Sequence, residues 1–379
     1  MPQGFTIAEF KARLKRAQGR MDDADLDAIL LTTEPDIRYF TGYLTRFWES
    51  PCRPWFLVLP RAGDPIAVIP SIGAALMART WISDIRTWRA PDLDDDGIGL
   101  LAETLRALGP RIGTPSGLQS HLRMPLDDFG RLNAALPKPI GADAGILRSL
   151  RLVKSDAEIE KIKTACHVAT RAFERVPEIA RVGQPLEAVF RDFQRLCLEE
   201  GADWVPYLAG AAAQGGYGDV ISPADERPLT AGDILMLDTG LVHDGYFCDF
   251  DRNFAIGNPS PDVAAGHSRL IEATYAAFEA ARPGKTAADL FHVMDKIVTG
   301  GAGGSEAGRY GHGLGMNLTE WPSLIPTDHT PLVPGMVLTL EPGIELAPGR
   351  ALVHEENIVI RENGAEWLSQ PYGAEMRRI

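Results

Sequence analysis

The stretch Leu235–Arg252, LMLDTGLVHDGYFCDFDR, predicts the centre of the fold. An apolar run ends at Asp238, a turn at Thr239–Gly240 and the pair Asp244–Gly245 follow, and a second carboxylate stands at Asp249. This pattern predicts a strand, a turn and a strand, and Asp-Gly is a common hairpin turn. Side by side, the two carboxylates would raise each other's pKa unless a cation lay between them. Taken alone, they also fit two solvated charges on a hairpin.

Three later motifs place further metal-binding side chains beside strands or turns. GHGLG at Gly311–Gly315 surrounds a His with glycines, LTLEPG at Leu338–Gly343 ends a strand in a Glu, and HEENIVI at His354–Ile360 begins a strand with acids. With the two aspartates, the set becomes Asp, Asp, His, Glu and Glu. It suits two divalent cations bridged by carboxylates.

This order of residues resembles the pita-bread metallopeptidases, a family that includes methionine aminopeptidase, aminopeptidase P and prolidase. The matching residues are Asp238, Asp249, His312, Glu341 and Glu355. The spacing of the aspartates, the Gly-His-Gly-x-Gly motif and the Glu-Pro-Gly motif all agree with the family. The distance to Gly364 selects Glu355 over Glu356 as the ligand. The resemblance predicts a creatinase/prolidase-type α/β domain over residues 1–145 and a pita-bread α+β domain over residues 146–379.

The resemblance also implies a role for each ligand. Asp238 and Asp249 would bind one ion. Asp249, His312, Glu341 and Glu355 would bind the other, with Asp249 and Glu355 bridging. Glu341 and His312 are the implied catalytic residues, with Glu341 as proton shuttle. Four carboxylates and one imidazole suit Mn²⁺, and Zn²⁺, Co²⁺ and Fe²⁺ are alternatives.

The substrate-facing positions depart from the family pattern. The peptidases carry a His shortly before the first ligand, where this chain has Asp219 nearby. They carry a second His where this chain has Thr319, which is followed by the matching acid Glu320. Aminopeptidase P and prolidase carry an Arg where this chain has Val353. Altered chemistry on the same scaffold therefore stays open.

The same segments are rich in aromatic side chains. The predicted substrate-binding residues are Asp219, Tyr217, Thr319, Glu320 and Trp321. With Trp204 and Tyr207, they could form an aromatic pocket for a small cationic or proline-like substrate. Alternatively, the aromatics pack within the loops.

The first functional hypothesis is hydrolysis of a small peptide, most simply an Xaa-Pro dipeptide. The alternative is a C–N hydrolase like ectoine hydrolase or creatinase, or a dimethylsulfoniopropionate lyase, on the same scaffold. A non-enzymatic binding module, like the family's histone-chaperone relatives, is disfavoured. Buried polar sites are costly to keep, and this chain retains all five ligands.

Bulk composition limits the other possibilities. The chain has 379 residues, is 45% hydrophobic and carries a formal net charge of −13. This charge argues against nucleic-acid and acidic-membrane partners. Four cysteines without CxxC spacing are typical of reduced thiols. The amino terminus lacks the apolar run of a signal peptide, so we expect a soluble cytoplasmic enzyme.

The first domain carries one feature with functional meaning. A loop containing Arg46 and Trp48 combines two residue types enriched at interface hot spots, and it predicts a homodimer in which this loop reaches the neighbour's site. Alternatively, the Trp packs within its own domain. The second domain is predicted to open with a helix capped by Ser155 and Glu158, which together form a capping box.

Overall fold

The computed structural model describes residues 4–50, 54–305 and 308–379. It divides into two compact units, Met1–Arg151 and Leu152–Ile379. The boundary predicted after residue 145 lies slightly earlier, at the start of the helix Ile146–Leu152. Cys52 lies outside the described residues, whereas the other three cysteines are free and buried. None of the described helices has the length and apolar character needed to cross a membrane.

The first unit is a mixed six-stranded sheet with helices. Its strands are β1 (Ala28–Leu31), β2 (Phe56–Pro60), β3 (Ile66–Pro70), β4 (Asp84–Trp88), β5 (Ile112–Thr114) and β6 (Gly141–Ala142), in the order β4-β3-β2-β1-β5-β6. Its helices are α1 (Ile7–Asp23), α2 (Glu34–Thr41), α3 (Ala74–Met77), α4 (Ile98–Leu108), α5 (Leu126–Ala135) and α6 (Ile146–Leu152). Helix α1 is amphipathic: Phe10, Leu14 and Ala17 are buried on one face, whereas Ile7 at its start is exposed.

The Arg46–Trp48 segment forms a 3₁₀ helix, Arg46–Glu49, rather than an open loop. The Trp48 side chain is only 9% exposed and packs against Trp55 at a ring distance of 5.8 Å. Arg46 pairs with Glu49 at 2.9 Å. Trp48 therefore packs within its own unit, and of the pair the exposed Arg46 is better placed to reach a neighbour.

The second unit contains the predicted metal-binding segments. Its helices are α7 (Asp156–Glu174), α8 (Val176–Ile179), α9 (Leu186–Glu199), α10 (Pro261–Ala280) and α11 (Ala287–Val298). Its strands are β7 (Trp204–Gln214), β8 (Asp233–His243), β9 (Tyr246–Phe247), β10 (Phe250–Ala255), β11 (His312–Gly313), β12 (Glu320–Ser323), β13 (Val337–Leu340), β14 (Gly343–Ala347), β15 (Arg350–Val353), β16 (Glu356–Arg361), β17 (Gly364–Trp367) and β18 (Arg377–Arg378). The predicted capping box of α7 is confirmed, with both Ser155 and Glu158 in place.

Two sheets carry the ligands. One has the order β18-β10-β8-β7, with β9 pairing with β8, and the other has the order β12-β11-β13-β16-β17. Helices α10 and α11 share a buried apolar core with these strands, which includes Ile234, Leu290 and Leu338. This shared core joins the two sheets that carry the predicted ligands.

The central hairpin differs in register from the sequence prediction. Strand β8 continues through Thr239–Gly240, so the turn lies only at Asp244–Gly245. The residue opposite Asp238 is Asp251, not Asp249. Asp249 instead occupies the break between β9 and β10, where the strand pairing is interrupted.

The aromatic segment before the hairpin is also a strand rather than a loop. Strand β7 runs over eleven residues and pairs antiparallel with β8 from Trp204 to Gln214. Its glycine and alanine residues suit close approach to β8. A Cβ at Gly210 would collide with the carbonyl of Met236. Pairing with the neighbouring strand overrides the weak local strand signal of these residues.

Candidate metal centre

His312 lies between two glycines, and the surrounding backbone leaves no space for a side chain at either position. A Cβ at Gly311 would collide with the carbonyl of Thr339, and one at Gly313 with the carbonyl of Trp321. His312 Nδ1 lies 2.8 Å from the carbonyl oxygen of Gly313. An N–H at Nδ1 can donate to this carbonyl, which leaves the lone pair of Nε2 free for a cation.

The two glutamates come from the ends of neighbouring strands. Glu341 follows β13 and is half-buried, and its backbone N–H donates to the Tyr310 carbonyl at 3.0 Å. Glu355 precedes β16 and is buried. Glu356 is buried as well, but it pairs with Arg252 at 3.0 Å. The carboxylate of Glu356 thus has a cationic partner, and Glu355 stays the predicted ligand.

Three of the predicted ligands converge. Asp249, His312 and Glu355 each offer a ligand atom within 4.8 Å of the others. His312 Nε2 lies 3.4 Å from Asp249 Oδ2. Within the described residues, four buried carboxylate oxygens have no hydrogen-bond partner. One is Asp233 Oδ1, and the other three belong to predicted ligands: Asp238 Oδ1, Asp249 Oδ1 and Glu355 Oε1. Buried oxygens of this kind are costly, and a cation would satisfy them together.

The electrostatics of the site agree with cation binding. Burial raises the pKa values of Asp249 and Glu355, and neighbouring carboxylates raise them further. Asp238 is shifted in the same direction by burial and by Asp251. Burial lowers the pKa of His312 to about 4, so its imidazole is neutral at physiological pH. A site with crowded acids and a neutral imidazole favours divalent cations.

Several residues that support the ligands were not recognised from the sequence. The hydroxyl of Tyr207 donates to Asp238 Oδ2 at 2.9 Å. The Asn357 side chain brackets the peptide of Asp249, accepting from its N–H at 3.0 Å and donating to its carbonyl. Asp251 Oδ1 accepts the N–H of Glu355 at 2.6 Å. The sequence shows only the aromatic character of Tyr207, because strand pairing between distant segments brings these partners close to the ligands.

Behind the ligands lies a buried charged network, which comprises Asp251, Arg252, His354 and Glu356. Imidazole nitrogens of His354 lie 3.5 Å from Asp251 and 3.4 Å from Glu356. Hydrogen bonds to the two acids raise the pKa of His354 against the lowering effect of burial, which is the largest single influence. The network holds the backbone on both sides of Glu355.

Two predicted substrate-binding residues have other partners. Tyr217 is 1% exposed, and its hydroxyl bonds to Asn253 and to the N–H of Val353. Its ring therefore offers no face to a ligand, contrary to the prediction. Glu320 is buried, with Lys154 Nζ at 3.0 Å from its Oε2 and two backbone N–H groups on Oε1. Its carboxylate neutralises Lys154, so it adds no free negative charge to a substrate pocket.

The other three predicted substrate-binding residues have different structural environments. Asp219 lies on an exposed turn and accepts from the N–H groups of Ile221 and Ser222. Trp321 is half-buried in β12. Thr319 accepts a hydrogen bond from Arg309, a residue that the sequence interpretation had not singled out. Thr319 and Trp321 stay predictions for substrate contact, and Asp219 has a local structural role in its turn.

Comparison with known families gives the same assignment. Residues 160–362 match the model of the metallopeptidase family M24, and residues 13–153 match that of the creatinase/prolidase N-terminal domain. The M24 family model covers the segment that contains all five predicted ligands.

Relatives align along almost the whole chain. A "Probable dipeptidase PepE" of Mycobacterium tuberculosis is 32% identical over 372 residues, which is 95% of this chain and 94% of the relative. An "Xaa-Pro dipeptidase" of Pyrococcus horikoshii is 25% identical, over 94% of this chain and 97% of that one. The solved structure of dipeptidase PepE from Mycobacterium ulcerans is 30% identical, with a TM-score of 0.85 over 99% of each chain. The chain therefore belongs to the metallopeptidase family M24, with a creatinase/prolidase-type α/β domain followed by a pita-bread catalytic domain.

Proposed function

We propose that this protein is a dipeptidase, with Xaa-Pro dipeptides as its first substrate class. One observation carries the proposal: Asp249, His312 and Glu355 converge with buried, unsatisfied oxygens. They do so in a chain that is similar along its length to proteins named as dipeptidases. The hydrolase and lyase alternatives of this scaffold are not favoured. The relatives that align along the chain are instead named as dipeptidases. In the pocket predicted for a small cationic or proline-like substrate, Tyr217 is buried and Glu320 pairs with Lys154.

The proposed cofactors are two divalent ions per subunit, with Mn²⁺ preferred. Asp238 and Asp249 would hold one ion, and His312, Glu341 and Glu355 would complete the second site, with Asp249 and Glu355 shared. Hard oxygen donors with a single imidazole suit Mn²⁺, and Zn²⁺, Co²⁺ and Fe²⁺ remain alternatives. Divalent ions held there supply Lewis acidity, which lowers the pKa of water and polarises a carbonyl.

The protein's own groups would position and move protons. Glu341 is the half-buried glutamate of the set, so its carboxylate can exchange a proton with substrate as general base and then acid. Tyr207 orients the carboxylate of Asp238 through its 2.9 Å hydrogen bond. Thr319 and Trp321 are proposed to contact substrate beside this set.

The proposed assembly is a homodimer, and the proposed location is the cytoplasm. The exposed side chain of Arg46 is the proposed contact with the neighbouring subunit. Three free, buried thiols support a reducing compartment. Light scattering at micromolar protein tests the assembly, and a monomer would contradict it.

The deciding experiment follows hydrolysis of Ala-Pro, Gly-Pro, Ala-Ala and the tripeptide Ala-Pro-Ala by Mn²⁺-loaded protein. We expect turnover of a dipeptide at a rate typical of enzymes, about 10 s⁻¹. Asp249→Ala protein, purified identically, controls for contaminating peptidases. The proposal fails if the wild type and this variant release products at the same rate. It also fails if a sulfonium or ring-amide compound is consumed while no dipeptide is cleaved.

A further inference from the structure

Arg309 lies beside the metal-binding residues in chain and in space. It stands three positions before His312, and its neighbour Tyr310 accepts the backbone N–H of Glu341 at 3.0 Å. The carbonyl of Leu324 accepts the N–H of Tyr310 at 2.9 Å. The first bond joins the backbone next to Arg309 to Glu341, and the second joins it to the residue after β12. The backbone beside Arg309 is therefore held between segments that lie next to two predicted ligands, His312 and Glu341.

The guanidinium group has few partners for a half-buried cation. Among the residues that the structure describes, its hydrogen bond is to Thr319 Oγ1, at a long 3.4 Å. The buried cations of the same unit differ, because Lys154 and Arg252 each have a carboxylate at 3.0 Å. A guanidinium presents a planar fork of donors that matches a carboxylate. Arg309 thus keeps donor capacity that a substrate can use.

Strand pairing also places the partner of Arg309 beside ligand-bearing segments. Thr319, which accepts the hydrogen bond of Arg309, directly precedes β12. Strand β12 pairs with β11, which contains His312, and β11 pairs with β13, which Glu341 follows. Arg309 is therefore joined to the sheet that presents His312 and Glu341.

The net charge of the proposed metal centre indicates which substrate group Arg309 could bind. In the proposed site, four carboxylates and a neutral imidazole match the charge of two divalent ions. Such a centre has no net charge left to attract an anionic substrate group. A dipeptide, however, carries its carboxylate only a few bonds from the peptide bond that is cleaved. A positively charged side chain next to the ligands would complement the charge of this carboxylate.

We propose that Arg309 binds a carboxylate of the substrate and thereby selects dipeptides over uncharged and cationic analogues. This inference rests on the proposed dipeptidase function. The carboxylate can come from the carboxyl terminus of the dipeptide or from an acidic side chain. Arg309 would donate to it through its planar fork, with Thr319 fixing one edge of the guanidinium.

The test compares wild type, Arg309→Met and Arg309→Lys on Ala-Pro, Ala-Pro amide and Asp-Pro. If the terminal carboxylate is bound, Arg309→Met raises KM for Ala-Pro by about 10- to 100-fold and leaves KM for the amide unchanged. If an acidic side chain is bound, the loss is confined to Asp-Pro. Arg309→Lys should recover part of the lost affinity. Equal effects on all three substrates, or none, would overturn the proposal.

Two further measurements separate this inference from the dipeptidase proposal. Calorimetry of metal-loaded protein with a reduced-amide analogue of Ala-Pro, and with its carboxamide, reports carboxylate recognition without turnover. Wild type should bind the acid more tightly, and Arg309→Met should bind both equally. Equal affinities in wild type refute the role of Arg309 even if dipeptides are cleaved. Arg191→Met, at an exposed position of α9, is the matched control. The metal content of all variants shows whether the site is intact.

Discussion

The backbone N–H of Glu355 donates a 2.6 Å hydrogen bond to Oδ1 of Asp251. Asp251 is 1% exposed and lies directly opposite Asp238 in the strand ladder. A carboxylate outside the predicted ligand set thus holds the peptide of one ligand and adjoins another. We therefore expect the position of the Glu355 carboxylate, a proposed bridging ligand, to depend on this contact, with Asp251 as a positioning residue.

Two replacements of Asp251 separate its role as a hydrogen-bond acceptor from the effect of its negative charge. Asp251→Ala removes the acceptor for Glu355 and should weaken Mn²⁺ binding by about 10- to 100-fold, the usual effect of losing a partner behind a ligand. Asp251→Asn keeps an acceptor oxygen and should lose much less affinity. Competition with a chelator measures the Mn²⁺ affinity of both variants. Glu279→Gln, at an exposed position of α10, is the control. Equal losses in Ala and Asn variants would show that charge, rather than position, matters.

Asp249 is predicted to be shared by both ions. Wild-type protein purified with excess Mn²⁺ should contain about two ions per subunit, and Asp249→Ala should contain almost none. Elemental analysis of desalted protein gives both values. Fewer than about one ion in wild type would refute a dinuclear centre. One ion retained by the variant would show that Asp249 is not a bridge.

Metal-free protein should become less stable as pH rises. Burial raises the pKa of Glu341 from 4.5 to about 7, so the folded state holds its proton more tightly than the unfolded chain. This contribution is full below about pH 4.5 and is lost as pH rises through about 7. The shifts of Asp249 and Glu355 act in the same direction.

Urea unfolding with a chelator, between about pH 5 and pH 7, measures the change. Glu341→Gln should reduce the slope of unfolding free energy against pH. Saturating Mn²⁺ should stabilise the protein most near neutral pH, where the carboxylates bind it without losing protons. The lowered pKa of His312 acts in the opposite direction within this range, so the comparison of wild type with Glu341→Gln isolates the effect of Glu341. Equal slopes in the two proteins would contradict the assignment.

The buried pair of Arg252 and Glu356 should be essential for stability. Their side chains are 5% and 1% exposed and lie 3.0 Å apart. Arg252→Met leaves Glu356 buried without its cationic partner and should cost about 3–5 kcal/mol of unfolding free energy. Arg191→Met breaks an exposed pair with Glu187 and should cost less than about 1 kcal/mol. Similar losses in both variants would refute this role of burial.

The metal-binding residues could be predicted because each lies in a short, local signature. The glycines on both sides of His312 stand next to it in the sequence, although the close contacts that require them come from the backbone of two other strands. Ser155 and Glu158 form a cap within one helical turn. The choice between Glu355 and Glu356 rested on spacing, and neighbouring residues at the start of a strand point to opposite faces. Such features depend on a few consecutive residues, which the sequence shows directly.

Contacts between distant segments were decided by the tertiary structure alone. Pairing of β8 with β10 put Asp251, rather than Asp249, opposite Asp238 and made Asp251 a partner of Glu355. Packing buries Tyr217 in the core and pairs Glu320 with Lys154, although the sequence predicts both as substrate-binding residues. Arg309 carries no local signal, and its relation to the ligands follows from the strands that surround it. Strand register and packing depend on the whole chain. The sequence by itself therefore determined the predicted ligand set, whereas the tertiary structure decided which residues hold those side chains and which predicted substrate contacts are buried or paired.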